Sequence, residues 1–123
     1  ANWLNTHPQI EKVNFTGLPS SPYYELAKKY LREGHFGYVF TFDVKGGFEA
    51  AKKFINNLKL ISHLANVGDA KTLVIHSAST THEQLSPADQ IASGVFPAAV
   101  RISVGLEHID DIKADIEQAL ASL

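Results

Sequence analysis

The sequence contains no cysteine and no methionine among its 123 residues. Without cysteine, disulfide bonds, thiolate nucleophiles and cysteine-ligated zinc are excluded. The absence of thiols only weakly favours a cytoplasmic location. A natural reading frame begins with methionine, so we expect a processed or truncated amino terminus. Residues 1–7 are typical of the last turn of a helix, which agrees with a fragment.

A strong charge of one sign is also lacking, because the formal net charge is −2 and no basic stripe is present. Nucleic acid and anionic membranes are therefore poor candidates for partners. No apolar run is long enough for a transmembrane helix, and no signal peptide is visible. The hydrophobic content of 45% is that of an ordinary globular domain with a modest core.

Motifs for nucleotide binding and for hydrolysis are missing, since the sequence has no Walker loop, G-x-G-x-x-G or G-x-S-x-G. Six histidines are present, but no pair has zinc-ligand spacing. His82 and Glu83 begin an H-E-x-x-H pattern whose last position is Ser86. The hydroxyls of residues 77–81 leave a hydrolase triad conceivable, and a loop that satisfies its own backbone is the simpler alternative. We predict no metal site, and we predict that His76 is a core residue bonded to backbone.

Hydrophobic periodicity and turn residues define the elements of the chain. Strands are predicted over 11–16, 37–44, 58–64, 72–76 and 100–107, and helices over 22–31, 48–58, 87–93 and 108–120. Ser86 is the expected cap of the third helix. The last helix carries Ile109, Ile112, Ile116 and Leu120 on one face. Strands and helices mixed in this order predict an α+β fold, a two-layer sandwich with a mostly antiparallel sheet and helices on one face. No linker or repeat interrupts the chain, so residues 1–123 form one domain.

The stretch V-R-I-S-V-G-L-E at 100–107 has the strongest functional interest. Strand alternation places Val100, Ile102 and Val104 on one face and Arg101 and Ser103 on the other. An arginine in such a strand either lies on a solvated face or is held rigidly to grip a carboxylate or phosphate with its planar fork. The spacing alone leaves both interpretations open.

Two runs of sequence carry a resemblance to a known family. L-A-N-V-G-D-A-K-T-L-V-I-H-S-A-S-T-T-H at 64–82 and V-R-I-S-V-G-L-E-H-I-D-D-I at 100–112 are similar to the carboxy-terminal domain of the Cys/Met-metabolism pyridoxal-phosphate enzymes. The segments G-L-P at 17–19 and F-T-F at 40–42 fit the same family, so the resemblance covers essentially the whole chain. The N-V-G-D form, where cystathionine enzymes usually have S-L-G-G, favours the sulfhydrylase branch.

The resemblance implies roles for three side chains. Arg101 matches the arginine that binds the α-carboxylate of the substrate, Asn66 the residue that touches the same carboxylate, and Thr81 a threonine that lines the pocket. Ser77 stands where the family usually has the proline of H-P-A-S, which leaves the loop after His76 freer.

The resemblance also implies a cofactor and a reaction. Pyridoxal 5'-phosphate and its Schiff-base lysine belong to an N-terminal domain that this chain lacks, so no catalytic residue is expected here. The implied enzyme is a cytoplasmic homotetramer of methionine biosynthesis, in which sulfide replaces the acetate of O-acetylhomoserine to give homocysteine.

Three alternatives remain open from the sequence. The chain could come from another transsulfuration enzyme, namely a cystathionine γ-synthase or β-lyase, or a methionine γ-lyase. It could be a free-standing amino-acid-binding module that uses Arg101 for the carboxylate of its ligand. A purely structural dimerisation domain is the third alternative, and the polar set of Arg101, Asn66 and Thr81 argues against it.

Overall fold

A computed structural model describes all residues of the chain, 1–123. In chain order the elements are α1 (Asn2–Asn5), β1 (Ile10–Asn14), α2 (Tyr24–Tyr30), β2 (Val39–Val44), α3 (Gly47–Asn56), β3 (Ser62–His63), β4 (Leu73–Ile75), a 3-10 turn (Ser77–Ser79), α4 (Pro87–Ala92), β5 (Ala99–Ser103) and α5 (Ile109–Leu120). None of these helices has the length and apolar character that a bilayer crossing requires.

The strands form one five-stranded sheet in the order β1-β2-β5-β4-β3. Three of the four strand pairings are antiparallel, and only β3 with β4 is parallel. The predicted α+β fold with a mostly antiparallel sheet is therefore confirmed. β5 lies at the centre, where Arg101 faces Thr41 of β2 on one side and Ile75 of β4 on the other.

One face of the sheet forms the hydrophobic core with α3 and α5. Val100 and Ile102 of β5 are 0% and 1% exposed, and they belong to the same buried cluster as Phe54 of α3 and Ile116 of α5. Phe42 of β2 meets Phe54 edge-on, with ring centroids 5.7 Å apart. The helices thus cover the face of β5 that carries Val100 and Ile102, as the alternation predicted.

Helix α5 begins as the sequence predicted and differs in its buried face. His108 is the N-cap, and its Nδ1 accepts a 3.3 Å hydrogen bond from the Asp110 N–H. The expected apolar face included Ile109, but this side chain is 53% exposed because it lies in the first turn, beyond the edge of the core. The buried face starts instead at Ile112 and includes the acidic Asp115, which is 6% exposed.

Asp115 explains why the strand predicted over 58–64 shrinks to two residues. Its carboxylate accepts hydrogen bonds from three successive backbone N–H groups, those of Lys59 at 2.8 Å, Leu60 at 2.9 Å and Ile61 at 2.9 Å. These donors are therefore turned toward α5 and are not available to a neighbouring strand. Gln118 supports the arrangement by donating to the Asp115 side chain at 3.1 Å.

Replacing Ile112 with Asp should unfold the domain or lower its free energy of unfolding by at least about 3 kcal/mol, because an unpaired charge would enter the core. Ile109→Asp is the matched control on the same helix. It should change stability little, since the site is exposed and an acidic residue suits the first turn. Urea denaturation compares both variants, and equal midpoints for Ile112→Asp and the parent chain would contradict this assignment of the core.

Replacing Asp115 with Asn should cost about 2–3 kcal/mol of stability. The amide keeps one acceptor oxygen but turns an NH₂ group toward a cluster of backbone donors, so at least one N–H of residues 59–61 loses its partner. Hydrogen exchange at these amides measures the effect site by site. Unchanged protection of all three amides would show that the carboxylate does not hold this segment.

Candidate functional site

Arg101 is the predicted site residue whose side-chain hydrogen-bond donors are all unused. It is half-buried on the face of β5 opposite the core, and its side chain makes neither a hydrogen bond nor an ion pair within the chain. The other arginine, Arg32, contacts the ring of His35 at 3.2 Å. A rigidly held guanidinium with free N–H groups can receive an anion, and its planar fork suits a carboxylate.

Asp43 of the neighbouring strand β2 is an acidic residue on this face, and it does not act as a counter-ion for Arg101. It faces Ala99, the residue two positions before Arg101, and no ion pair joins Asp43 to the guanidinium. Burial raises the pKa of the Asp43 carboxyl, and the charge that opposes this effect comes from Lys12 of the edge strand. Arg101 therefore has no carboxylate partner within the chain.

Asn66 lies in the loop between β3 and β4, and this loop crosses to the Arg101 side of the sheet. The Gly68 N–H donates a 3.3 Å hydrogen bond to Oγ of Ser103, which shares its strand face with Arg101. The Asn66 side chain is exposed and bonds within its own loop. Its Oδ1 accepts from the Val67 N–H at 2.9 Å, and its Nδ2 donates weakly to Asp69 at 3.5 Å.

Thr81 follows the 3-10 turn after β4, and its exposed hydroxyl lies 2.9 Å from Nδ1 of His82. Hydrogen bonds hold the segment that carries Thr81 in place, although Ser77 stands where the family resemblance implies a proline. The amide of Gln90 in α4 donates to the carbonyls of Ala78 at 2.9 Å and His82 at 2.8 Å. The expected extra freedom of this loop is thus offset by Gln90, whose role the sequence analysis missed.

The structure brings the three predicted residues together only in part. Arg101 and the Asn66 loop share one face of the sheet, while no hydrogen bond links the side chains of Arg101, Asn66 and Thr81. Asn66 and Thr81 use their polar atoms on immediate neighbours. The unpaired guanidinium is therefore the feature that defines the site.

His76 lies on the opposite, helix-covered face and is a core residue, as predicted. It is 1% exposed, and its Nε2 lies 2.8 Å from the carbonyl oxygen of Pro97. A carbonyl can only accept, so Nε2 carries the proton and Nδ1 accepts from the Ser79 hydroxyl at 2.8 Å. The ring also meets Phe48 edge-on at 5.0 Å. Burial lowers the pKa of His76, which keeps the imidazole neutral.

The pairing of Ser79 with His76 does not make a hydrolase triad. The N–H groups of Ser79 and Thr80 donate to the carbonyls of His76 and Ser77, so they are not free to stabilise an oxyanion. A cleft of about 600 Å³ adjoins His76 and is lined by Lys52, Gln90 and other side chains of this face. Arg101 does not line it. The imidazole therefore has a structural role.

The chain offers no site for a metal or for pyridoxal phosphate. No three His, Cys, Asp or Glu side chains lie close enough together to hold a metal ion. No lysine is buried, whereas a lysine that forms a Schiff base is usually desolvated by its surroundings. No glycine-rich loop is placed to cradle a phosphate. Residues of this chain thus do not fit the cofactor.

The structure is thus an α+β domain whose central strand carries a half-buried arginine with no ion-pair partner within the chain. The sequence profile of the Cys/Met metabolism PLP-dependent enzymes matches residues 1–121. The chain belongs to this family.

Two curated relatives carry the same enzyme name. The chain is 59% identical over 121 residues to O-acetyl-L-homoserine sulfhydrylase 1 of Thermus thermophilus, covering 98% of this chain and 28% of the relative. It is 55% identical over 123 residues to O-acetyl-L-homoserine sulfhydrylase of Leptospira meyeri, covering 100% of this chain and 28% of the relative. The chain therefore spans less than a third of the length of the curated relatives it matches.

A solved structure supports the fold directly. The crystal structure of a Campylobacter jejuni protein assigned as an O-acetylhomoserine (thiol)-lyase superposes with a TM-score of 0.91 at 41% identity. The match covers 98% of this chain and 28% of that protein, which carries N'-pyridoxyl-lysine-5'-monophosphate at its position 205.

The depressed pKa of His76 predicts a loss of stability in mild acid. The unfolded chain binds a proton on this residue near pH 6.5, whereas the folded chain binds it only at lower pH. Stability is therefore fully present above about pH 6.5 and falls below it, by up to about 1.4 kcal/mol per pH unit until the folded pKa is reached. Urea midpoints between pH 7.5 and 5.5 measure this slope. His76→Gln cannot titrate and should flatten it, and an unchanged slope in that variant would assign the effect to other groups.

Proposed function

We propose that residues 1–123 form the carboxy-terminal, substrate-side domain of a pyridoxal-phosphate-dependent O-acetylhomoserine sulfhydrylase. In this proposal Arg101 binds the α-carboxylate of O-acetylhomoserine, sulfide replaces the acetate group, and homocysteine is the product. The observation that carries the proposal is the half-buried guanidinium of Arg101, which has no partner within the chain. The names and identities of the relatives support the choice of reaction.

The chemistry requires a firm grip on the carboxylate. A two-pronged contact from Arg101 fixes the orientation of the amino acid, so that the bonds to be broken are held in a reactive geometry. The central position of β5 suits this task, because Arg101 is flanked by hydrogen-bonded strands on both sides. Asn66 and Thr81 complete the proposed site as polar groups around the same carboxylate.

The remaining parts of the enzyme are assigned to residues outside this chain. The lack of a buried lysine and of a phosphate loop supports a cofactor site formed by a separate amino-terminal domain, which also supplies the Schiff-base lysine. A homotetrameric assembly and a cytoplasmic location belong to the same proposal and are supported by family membership alone.

The second candidate function is that of a methionine γ-lyase, which acts on an amino acid with the same carboxylate. The chain is 45% identical over 122 residues to L-methionine gamma-lyase of Fusobacterium nucleatum, and 46% identical over 123 residues to O-succinylhomoserine sulfhydrylase of Pseudomonas aeruginosa. Both values are lower than the 59% and 55% identity to the sulfhydrylases of Thermus thermophilus and Leptospira meyeri. Assaying the whole enzyme on O-acetylhomoserine with sulfide, and separately on methionine, separates the two functions.

Arg101→Lys tests the role of the guanidinium in the full-length enzyme. Lysine keeps the charge but loses the planar fork, so kcat/KM for O-acetylhomoserine should fall roughly 30- to 1000-fold, as expected for losing about 2–4 kcal/mol. Cofactor absorbance should be unchanged, because the proposal assigns the cofactor's anchoring residues to the amino-terminal domain. Steady-state kinetics and a thermal melt measure both properties.

Arg32→Lys is the matched control, since Arg32 is exposed and lies outside the proposed site. It should leave kcat/KM unchanged. If Arg101→Lys keeps full kcat/KM and only lowers the melting temperature, Arg101 is a structural residue and the proposal is wrong.

A further inference from the structure

We propose that Glu107 and Thr72 are positioning residues for the carboxylate site, because together they hold the Asn66 loop in fixed register against the strand that carries Arg101. This inference rests on the proposed function and adds to it two residues that contact no substrate. It concerns the connection between β5 and α5, where the sequence predicted a longer strand over 100–107.

Three short hydrogen bonds join Glu107, Thr72 and Gly105. The Thr72 N–H donates to one carboxylate oxygen of Glu107 at 2.7 Å, and the Thr72 hydroxyl donates to the other at 2.6 Å. The same hydroxyl oxygen accepts from the Gly105 N–H at 2.8 Å. Partial burial raises the pKa of the Glu107 carboxyl, but the hydrogen bonds from Thr72 outweigh this effect and bring the pKa below its usual range. Glu107 therefore binds Thr72 as a deprotonated carboxylate.

The two backbones approach so closely here that Gly105 has no room for a side chain. A Cβ atom at this position would lie 2.4 Å from the carbonyl oxygen of Ala70. The next residue, Leu106, donates its N–H to that same oxygen at 2.8 Å. Beyond Ser103, the Val104 N–H still bonds to the carbonyl of Tyr38, whereas the N–H groups of Gly105 and Leu106 turn to Thr72 and Ala70 at the end of the Asn66 loop.

A further tether fixes the middle of the loop on the Arg101 face. The Gly68 N–H donates to the buried hydroxyl of Ser103, two residues from Arg101 on the same side of β5. The loop is thus attached at Gly68 to the strand of Arg101 and at residues 70–72 to the continuation of that strand. The position of the loop on the Arg101 face depends on these attachments, since the Asn66 side chain bonds only within the loop.

The attachment differs from ordinary core packing. Glu107 lies outside the buried cluster, which occupies the opposite face of the sheet. Removing its carboxylate releases the loop relative to Arg101 while the contacts of Val100 and Ile102 with the helices persist. A loss of register of this kind weakens binding of the carboxylate in the ground state and the transition state alike, so it raises KM more than it lowers kcat.

The test uses the full-length enzyme with O-acetyl-L-homoserine as the probe. Thr72→Val removes the hydroxyl that bridges Glu107 and Gly105, whereas the separate variant Thr72→Ser keeps a hydroxyl at this position. Glu107→Gln removes one of the two charged acceptors. Thr72→Val and Glu107→Gln should raise KM about tenfold with kcat changed less than about threefold, and Thr72→Ser should match the parent enzyme.

Asp115→Asn serves as a control for lost stability. It breaks a carboxylate–backbone contact on the opposite face of the domain, so it should lower the melting temperature without raising KM. If Thr72→Val lowers the melting temperature in the same way and leaves KM unchanged, Glu107 and Thr72 are purely structural and this inference is overturned.

A double-mutant cycle separates this inference from the function on which it rests. Combining Thr72→Val with Arg101→Lys should raise KM by less than the product of the single effects, because both changes damage the same contact. If Arg101→Lys alone has no effect on kcat/KM, the proposed function fails. If Arg101→Lys acts strongly and Thr72→Val has no effect on KM, the function stands and the positioning role fails.

Discussion

The rest of the structure depends on the two-sided character of β5, the central strand of the sheet. Val100 and Ile102 are almost fully buried against the helices, and Arg101 lies between them on the opposite face. Because side chains alternate along a strand, shifting β5 by one residue would expose the two apolar side chains and bury the charge. The same register that forms the core therefore fixes the place of the guanidinium, and no separate interaction is needed to hold its backbone.

Two carboxylates of the α5 region determine where the sheet stops. Asp115 accepts three backbone N–H groups of residues 59–61, and Glu107 accepts the N–H and the hydroxyl of Thr72. Charge-assisted bonds of this kind are stronger than neutral ones, so the chain follows them instead of extending a strand ladder. One carboxylate supports the core face of the sheet, and the other joins the Asn66 loop to the Arg101 strand.

The sequence predicted those features that follow from local pattern. Alternation placed Arg101 on the face opposite Val100, and the Ser86 cap and the His108 start of α5 were found correctly. The strands predicted over 58–64 and 100–107 came out too long, because the acceptors that end them are distant in sequence. These acceptors are the Asp115 carboxylate for the first strand, and the Thr72 hydroxyl and the Ala70 carbonyl for the second. An acidic Asp115 among isoleucines looks like an interruption of the apolar face until its three donors are known. That Arg101 lacks a counter-ion is likewise a property of the folded chain alone.

Folding alone does not explain why position 101 carries an arginine that has no partner within the chain. A half-buried charge without a partner loses hydration and gains no contact in return, and a threonine at the same position would satisfy the strand equally well. Neighbouring polar groups do not relieve this cost, since Asp43 makes no ion pair with Arg101 and Asn66 and Thr81 bond to their own neighbours. An anion that binds here meets a charge already freed of competing contacts and held on a strand fixed by the core. In the proposed function, the guanidinium is pre-organised for its ligand because it has no competing contact within the chain, and a carboxylate matches the geometry of its fork.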